Sequence, residues 1–355
     1  MGHDEGETRA EDRGGTVRER ALLEAIALRS AGLSARFPQV LIGPGDDCAM
    51  VEVGRSHGPT PSEGDDAQHR SAESRTSMAR AAVLVTTDQV IEGRHFVRGT
   101  PLDLVARKAV ARSISDLAAM GVSPLAAVAT GALPARLSAA EADALCVSMK
   151  EWSERFGCPM VGGDLAVLPG VDDPMVLTTT VLGVPHPTRG AVLRSGARVG
   201  DEVYVTGVLG GSLYRASGLG RHLTFEPRVR EAQWLCRTLG AGLTAMMDLS
   251  DGLGIDASRM SEASGVRLEI EAARVPRSAG VDSWRRAASD GEDYELLFCV
   301  SRERSGDVPE RCPETGVAIT RVGVVRAAGP TPGAVIIDGG VAYDGWTLGF
   351  EHGRT

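Results

Sequence analysis

Residues 81–88 read AAVLVTTD, and residues 102–121 read LDLVARKAVARSISDLAAMG. The first run is apolar and β-branched and ends on a carboxylate, which predicts a strand that delivers Asp88 at its tip. The second is rich in Ala and Leu, and Gly121 closes it as a helix C-cap does, which predicts a helix over 102–120 carrying Asp116. The neighbouring chain repeats the alternation. LAAVATGAL (125–133) reads as a strand, and 139–156 as a helix entered through Ser138 with Glu141 three residues on, a capping box. PMVGGD (159–164) and VLTTTVLGV (176–184) add strands, and VRERALLEAIALRSAGL (17–33) has the spacing of an amphipathic helix. The fold class is α/β (α+β).

At about 150 residues per domain, 355 residues imply two domains. PHPTRG (185–190) reads as a linker, so we place the boundary near 188, giving an N-terminal domain over 17–188 and a C-terminal α/β domain over 189–355. The second unit opens with DEVYVTG (201–207). It continues with helices to about 245, MMDLSD (246–251), a helix in GIDASRMSEASG (254–265), and the strands RLEIEA (267–272) and YELLFCV (294–300). Residues 1–16 are polar and without periodicity, which reads as a disordered tail and as neither a signal nor a transit peptide. Residues 54–80 hold almost nothing apolar and read as a flexible surface insertion.

Composition narrows the function. Lys and Arg number 38 against 47 Asp and Glu, a net charge of −9, which argues against a non-specific nucleic-acid binder. No run approaches the roughly 20 apolar residues of a membrane span. The six cysteines are scattered without a CxxC, as in a reduced, cytoplasmic protein. Forty-four glycines, well above the average of about 7%, keep falling beside aspartate.

Nucleotide-binding signatures of other kinds are missing: there is no GxxxxGK[ST], no GxGxxG after a strand and no kinase HRD or DFG set. What the chain offers instead is aspartates at strand ends and in glycine loops: Asp46 and Asp47 in GPGDD, Asp88, Asp116, Asp164 in VGGD, Asp248 and Asp251 in MDLSDG, and Asp293 in DGEDYE. Singly, each reads as a turn or cap residue. Together, following apolar stretches, they read as an oxygen-ligand site for Mg²⁺ shared with substrate phosphates. Thr86 and Thr87 suit a strand and also offer hydroxyl oxygens. His95 stands alone, as a hydrogen-bonded loop histidine or a contact to an anionic substrate.

In order, GPGDDCAM, LVTTDQVIEGRHF, ISDLAAMGVSP, VGGD, LRSGARVGDEVYVTG, DLSDGLGID and DGEDYELLF resemble the thiamine-monophosphate kinases. These share a superfamily with aminoimidazole ribonucleotide synthetase and selenophosphate synthetase. The resemblance runs from about residue 38 to the C-terminus outside 54–80. It implies a two-domain synthetase-like fold whose N-terminal sheet pairs across a homodimer. The implied reaction is Mg²⁺-dependent transfer from ATP to thiamine monophosphate, with several ions. Carried over by motif, Asp88, Asp116 and Asp248 are catalytic, and the metal set is Asp47, Thr86, Thr87, Asp88, Asp116, Asp164, Asp248 and Asp251. Gly163, Asp164, Arg194 and Ser250 contact ATP; His95, Glu292 and Phe350 contact the acceptor, with Trp346 the other aromatic near the C-terminus. Ser113 stands where the family has Asn. The alternatives are another ATP-dependent synthetase of the superfamily and a non-catalytic nucleotide-binding sensor.

Overall fold

The computed structural model describes residues 25, 26, 28–53, 81–213, 218–329 and 333–349. The expected tail (1–16), the insertion (54–80) and Phe350 lie outside these, as does most of the helix expected over 17–33, of which residues 25, 26, 28 and 29 are helical and Leu33 opens a separate short helix, Leu33–Arg36. No described helix is long and apolar enough to cross a membrane.

Among the described residues the strands form two mixed sheets. The first has six: β1 (Val40–Ile42), β2 (Ala49–Val53), β3 (Ala81–Ile91), β4 (Ser123–Pro134), β5 (Met160–Leu168) and β6 (Val176–Val184), in the order β1-β2-β3-β6-β4-β5. Only β4–β5 is parallel. The second has seven: β7 (Glu202–Thr206), β8 (Leu243–Asp248), β9 (Val266–Glu271), β10 (Leu296–Val300), β11 (Ile319–Ala327), β12 (Val335–Asp338) and β13 (Val341–Asp344). Their order is β13-β12-β9-β11-β7-β10-β8, with only β9–β12 parallel.

Helix α1 (Leu102–Ala119) is the hinge of the architecture. It ends where the sequence says, with Met120 as cap and Gly121 at φ 66°. Thirteen of its 18 residues are buried, so it has no solvent face in the usual sense. One side lies on β3 and β6, another on α2 (Ala139–Arg155), and a third on α3 (Val229–Leu239) and β8 of the second half. The capping box of α2 forms as read, with Ser138 accepting from the Glu141 N–H and Glu141 from the Ser138 N–H. In the second half α3 covers one face of the sheet, while α4 (Leu253–Ser264) and α5 (Trp284–Ser289) cover the other.

Two expectations needed moving. The helices read to about 245 stop at Leu239, because Gly240 turns left-handed at φ 53° and Leu243 opens β8. The strand read over 294–300 begins only at Leu296, because Glu292 and Tyr294 sit at φ 57° and 53°, a conformation no strand accommodates.

Candidate active site

Three aspartates from three distant elements converge. Asp47 comes from the loop before β2, Asp116 from the last turn of α1 and Asp248 from the end of β8, and each offers an oxygen within 4.8 Å of the others. At that separation, two full charges repel by about 3.5 kcal/mol at an effective dielectric of about 20. Burial, then Asp88, Asp248 and Asp47, push the Asp116 carboxyl well above the carboxylate range. Burial and then Asp47 raise Asp248 to about 8. Asp47 Oδ2 is buried without a hydrogen-bond partner. Two of the other oxygens are aimed by hydroxyls: Thr86 Oγ1 donates to Asp116 Oδ2 at 2.6 Å, and Ser115 Oγ to Asp248 Oδ2 at 2.6 Å. Arg194 meets Asp47 at 2.6 Å, and its Nε, buried without a hydrogen bond, lies 3.6 Å from Asp46 Oδ1. A dense, under-neutralised, all-oxygen donor set of this kind fits a hard divalent cation.

A cavity of about 890 Å³ borders the cluster through Asp46, Asp88 and Ser250, and Asp251, Arg112, Arg194 and Arg259 also line it. Its far end is built differently. Lys108 of α1, 1% exposed, ion-pairs with Glu292 and donates to His222 Nδ1 and the His95 carbonyl, both at 2.8 Å. Burial alone would raise the Glu292 carboxyl; the Lys108 ammonium first, and Arg112 after it, outweigh it and hold the group far below the usual range. The left-handed turn at Glu292 is closed by its N–H donating to the Ser250 carbonyl at 2.6 Å. His95 lines the same end, its Nδ1 accepting from the Ile91 N–H at 3.0 Å, and Trp346 stands on the wall.

Asp88, Asp251, Arg194, Ser250, His95 and Glu292 thus meet in or beside one cavity with Asp47, Thr86, Asp116 and Asp248. Thr87, Gly163 and Asp164 do not join them within one chain. Successive strand residues face opposite sides. Thr86 and Asp88 lie on the α1 side of β3 with buried Leu84 and Val90, whereas Thr87 is exposed on the open side, bonded to Thr180 Oγ1 at 2.9 Å. Asp88 pairs with Thr179, Thr179 with Ala129 and Ala129 with Gly163, so Gly163 lies three strands from Asp88, roughly 14 Å at about 4.8 Å per strand. Asp164, one residue on, shares the open side with Thr87. Gly163 has a packing reason as well: a Cβ there would lie 2.0 Å from the Ala129 carbonyl oxygen. With Asp164 it lines a second cavity of about 310 Å³, walled by Leu145, Cys146, Met149 and Leu177. Ser113 donates to the Thr179 carbonyl at 2.8 Å and fastens α1 to β6.

The motif reading passed over Lys108, Arg112, Arg259 and His222. A signal for the first two was present: Lys108, Arg112 and Asp116 are spaced by four and share one face of α1.

The N-terminal domain of AIR synthase related proteins matches residues 45–185, and the corresponding C-terminal domain matches 198–331. A thiamine-monophosphate kinase of Rhodopirellula baltica is 36% identical over 304 residues, 83% of this chain and 86% of that one. The thiamine-monophosphate kinase of Mycobacterium tuberculosis is 32% identical over 332 residues, 86% and 85% of the two chains. A solved structure of AaThiL complexed with AMPPCP and TMP superposes with a TM-score of 0.69 at 25% identity, covering 95% of this chain and 99% of that one. Both halves match in order and the likeness extends along most of each relative, so the chain belongs to the thiamine-monophosphate kinase family.

Proposed function

We propose that this protein transfers the γ-phosphoryl group of ATP to thiamine monophosphate, giving thiamine diphosphate and ADP. The observation that carries the reading is the polarity of the cavity: under-neutralised carboxylates at one end and a charge-held Glu292 at the other. Both reactants are anionic, so bringing them together is the central problem. The acceptor oxygen of a phosphate monoester is already largely ionised at neutral pH, its second pKa being about 6, and no general base is needed. Catalysis then rests on alignment and charge compensation.

Asp47, Asp88, Asp116 and Asp248 would hold Mg²⁺, with Thr86 beside them and Asp251 at the cavity edge. Bound there, Mg²⁺ supplies positive charge to the phosphates. Arg194 would contact the ATP phosphates and Ser250 would border them. Glu292, ionised and oriented, accepts from the amino group of the pyrimidine, with His95 beside it. Trp346 lines the cavity, and Phe350 remains the other aromatic proposed for the acceptor.

Thr87 and Asp164 face the open side of the sheet, so any ion they hold is a different one. We assign the second cavity to the adenine ring, which suits its apolar walls. β5 is a sheet edge exposed along Val161–Val167, with Val161 68% and Val167 75% exposed, and such an edge calls for a covering strand or sheet. A homodimer closed there would bring Asp164 and Gly163 of one copy towards the Asp88 site of the other. In that case mixing Asp116→Asn with Asp164→Asn chains restores activity that neither variant shows alone.

The deciding assay incubates the protein with ATP, Mg²⁺ and thiamine monophosphate and reads products by mass. Thiamine diphosphate and ADP in equal amounts are expected. ADP formed only with another acceptor would point to a different synthetase, and ATP bound but unchanged would point to a sensor.

A further inference from the structure

The strongest unclaimed feature of the cavity is Arg112. It sits on α1 between Lys108 and Asp116, four residues from each, so about 6 Å along the helix axis separates it from either. Lys108 fixes Glu292 at the far end of the cavity, and Asp116 belongs to the acid cluster at the near end. Arg112 therefore marks the middle of the path between them, and it lines the cavity wall.

Its polar contacts are longer than those of three other ion-paired arginines. Arg194 meets Asp47 at 2.6 Å, Arg259 meets Asp251 at 2.6 Å, and Arg228 grips Glu295 with two bonds of 2.6 and 2.7 Å. Arg112 reaches Asp88 at 3.3 Å and the Gln89 carbonyl at 3.2 Å, both long for a guanidinium. Its Nε is buried and has no hydrogen-bond partner in the structure. A guanidinium carries five N–H donors in a rigid fork that matches a phosphate, and this one has donors in hand on the wall of a cavity. The side chain is only 15% exposed, so an anion meeting it does so with little competing water.

We propose that Arg112 binds the phosphate group of the acceptor, holding it midway between the Glu292 end and the acid cluster. The inference rests on the acceptor reading given above and deepens it. An acceptor whose ring end is recognised at Glu292 lies along α1 with its phosphate beside Arg112, facing the acids that would hold the metal. The residue then sets specificity for a phosphorylated acceptor over its unphosphorylated parent.

The test compares binding of thiamine monophosphate and of thiamine by calorimetry, with Mg²⁺ present, for the wild type, Arg112→Gln and Arg112→Lys. The wild type should prefer the phosphorylated ligand at least tenfold. Arg112→Gln should lose about tenfold of that preference while its affinity for thiamine changes less than twofold, and Arg112→Lys should recover part of it. Equal weakening of both ligands would mean a merely structural role and overturn the inference, as would an unchanged preference. If Arg112→Gln does not fold, Arg112→Met, which keeps the length of the stem, takes its place with the same expectation. Wild-type turnover separates the two readings. A protein that phosphorylates thiamine monophosphate, yet keeps its phosphate preference without Arg112, overturns this inference alone. One that does not use thiamine monophosphate overturns the acceptor reading and this inference with it.

Discussion

The two ends of the cavity hold carboxylates of opposite character. Glu292 faces the buried ammonium of Lys108 and stays ionised, a finished hydrogen-bond acceptor inside the fold. Asp116 and Asp248 face other carboxylates and hold their protons far above the ordinary range. The same residue chemistry is compensated by the protein at one end and left uncompensated at the other. The first arrangement suits recognition of a fixed neutral or cationic group. The second is stable only with protons or with a cation taken from outside, which is the property of a metal site.

The comparison breaks most visibly at Asp116. Replacing it by Asn removes a charge but little volume, so turnover should fall at least about 1,000-fold, some 4 kcal/mol of transition-state stabilisation, while the metal-free melting temperature holds or rises. Near-normal turnover at saturating Mg²⁺ would show that the cluster is not the metal site. At the other end the sign reverses. Lys108→Met leaves Glu292 without its counter-charge, and denaturant titration should show a loss of about 3 kcal/mol. The double variant with Glu292→Met should regain most of it. A cost equal in the single and double variants would mean that the pair is not the source.

Acidity sharpens the contrast further. The pKa of Asp248 is about 8 in the fold, against about 3.9 for a free Asp. Between those values the folded chain holds a proton that the unfolded chain has lost, so stability falls as pH rises from 5 to 8. In chelator the melting temperature should therefore drop across that range, and Mg²⁺ should flatten the slope by taking the ionised carboxylates. A slope unaffected by Mg²⁺ would place the titration elsewhere. The smallest effect belongs to Thr86, whose hydroxyl aims Asp116. Thr86→Val should cost about 1 kcal/mol, roughly fivefold in kcat/KM, and Thr86→Ser should restore it. If Ser and Val behave alike, the hydroxyl has no part in orienting the acid.

Much of this was legible in the chain itself. Local rules placed α1 with its Gly121 stop and the Ser138–Glu141 box, because helix ends are decided within one turn. The ordered motifs pointed to the family to which the chain belongs, and most of the residues they named lie in or beside one cavity. Thr86 and Thr87 mark the limit. As neighbours on a strand they must face opposite sides, which periodicity already requires, but which side looks at Asp116 was settled only when α1 packed on β3. The separation of Asp164 from Asp88 has the same origin, since strand order is set by long-range pairing and not by sequence distance. The charge states are the last thing the fold decides. Nothing in the letters distinguishes Glu292 from Asp116; one is carried to a buried lysine and the other to two more carboxylates, and a pKa depends on what is brought within a few ångströms after burial removes the water.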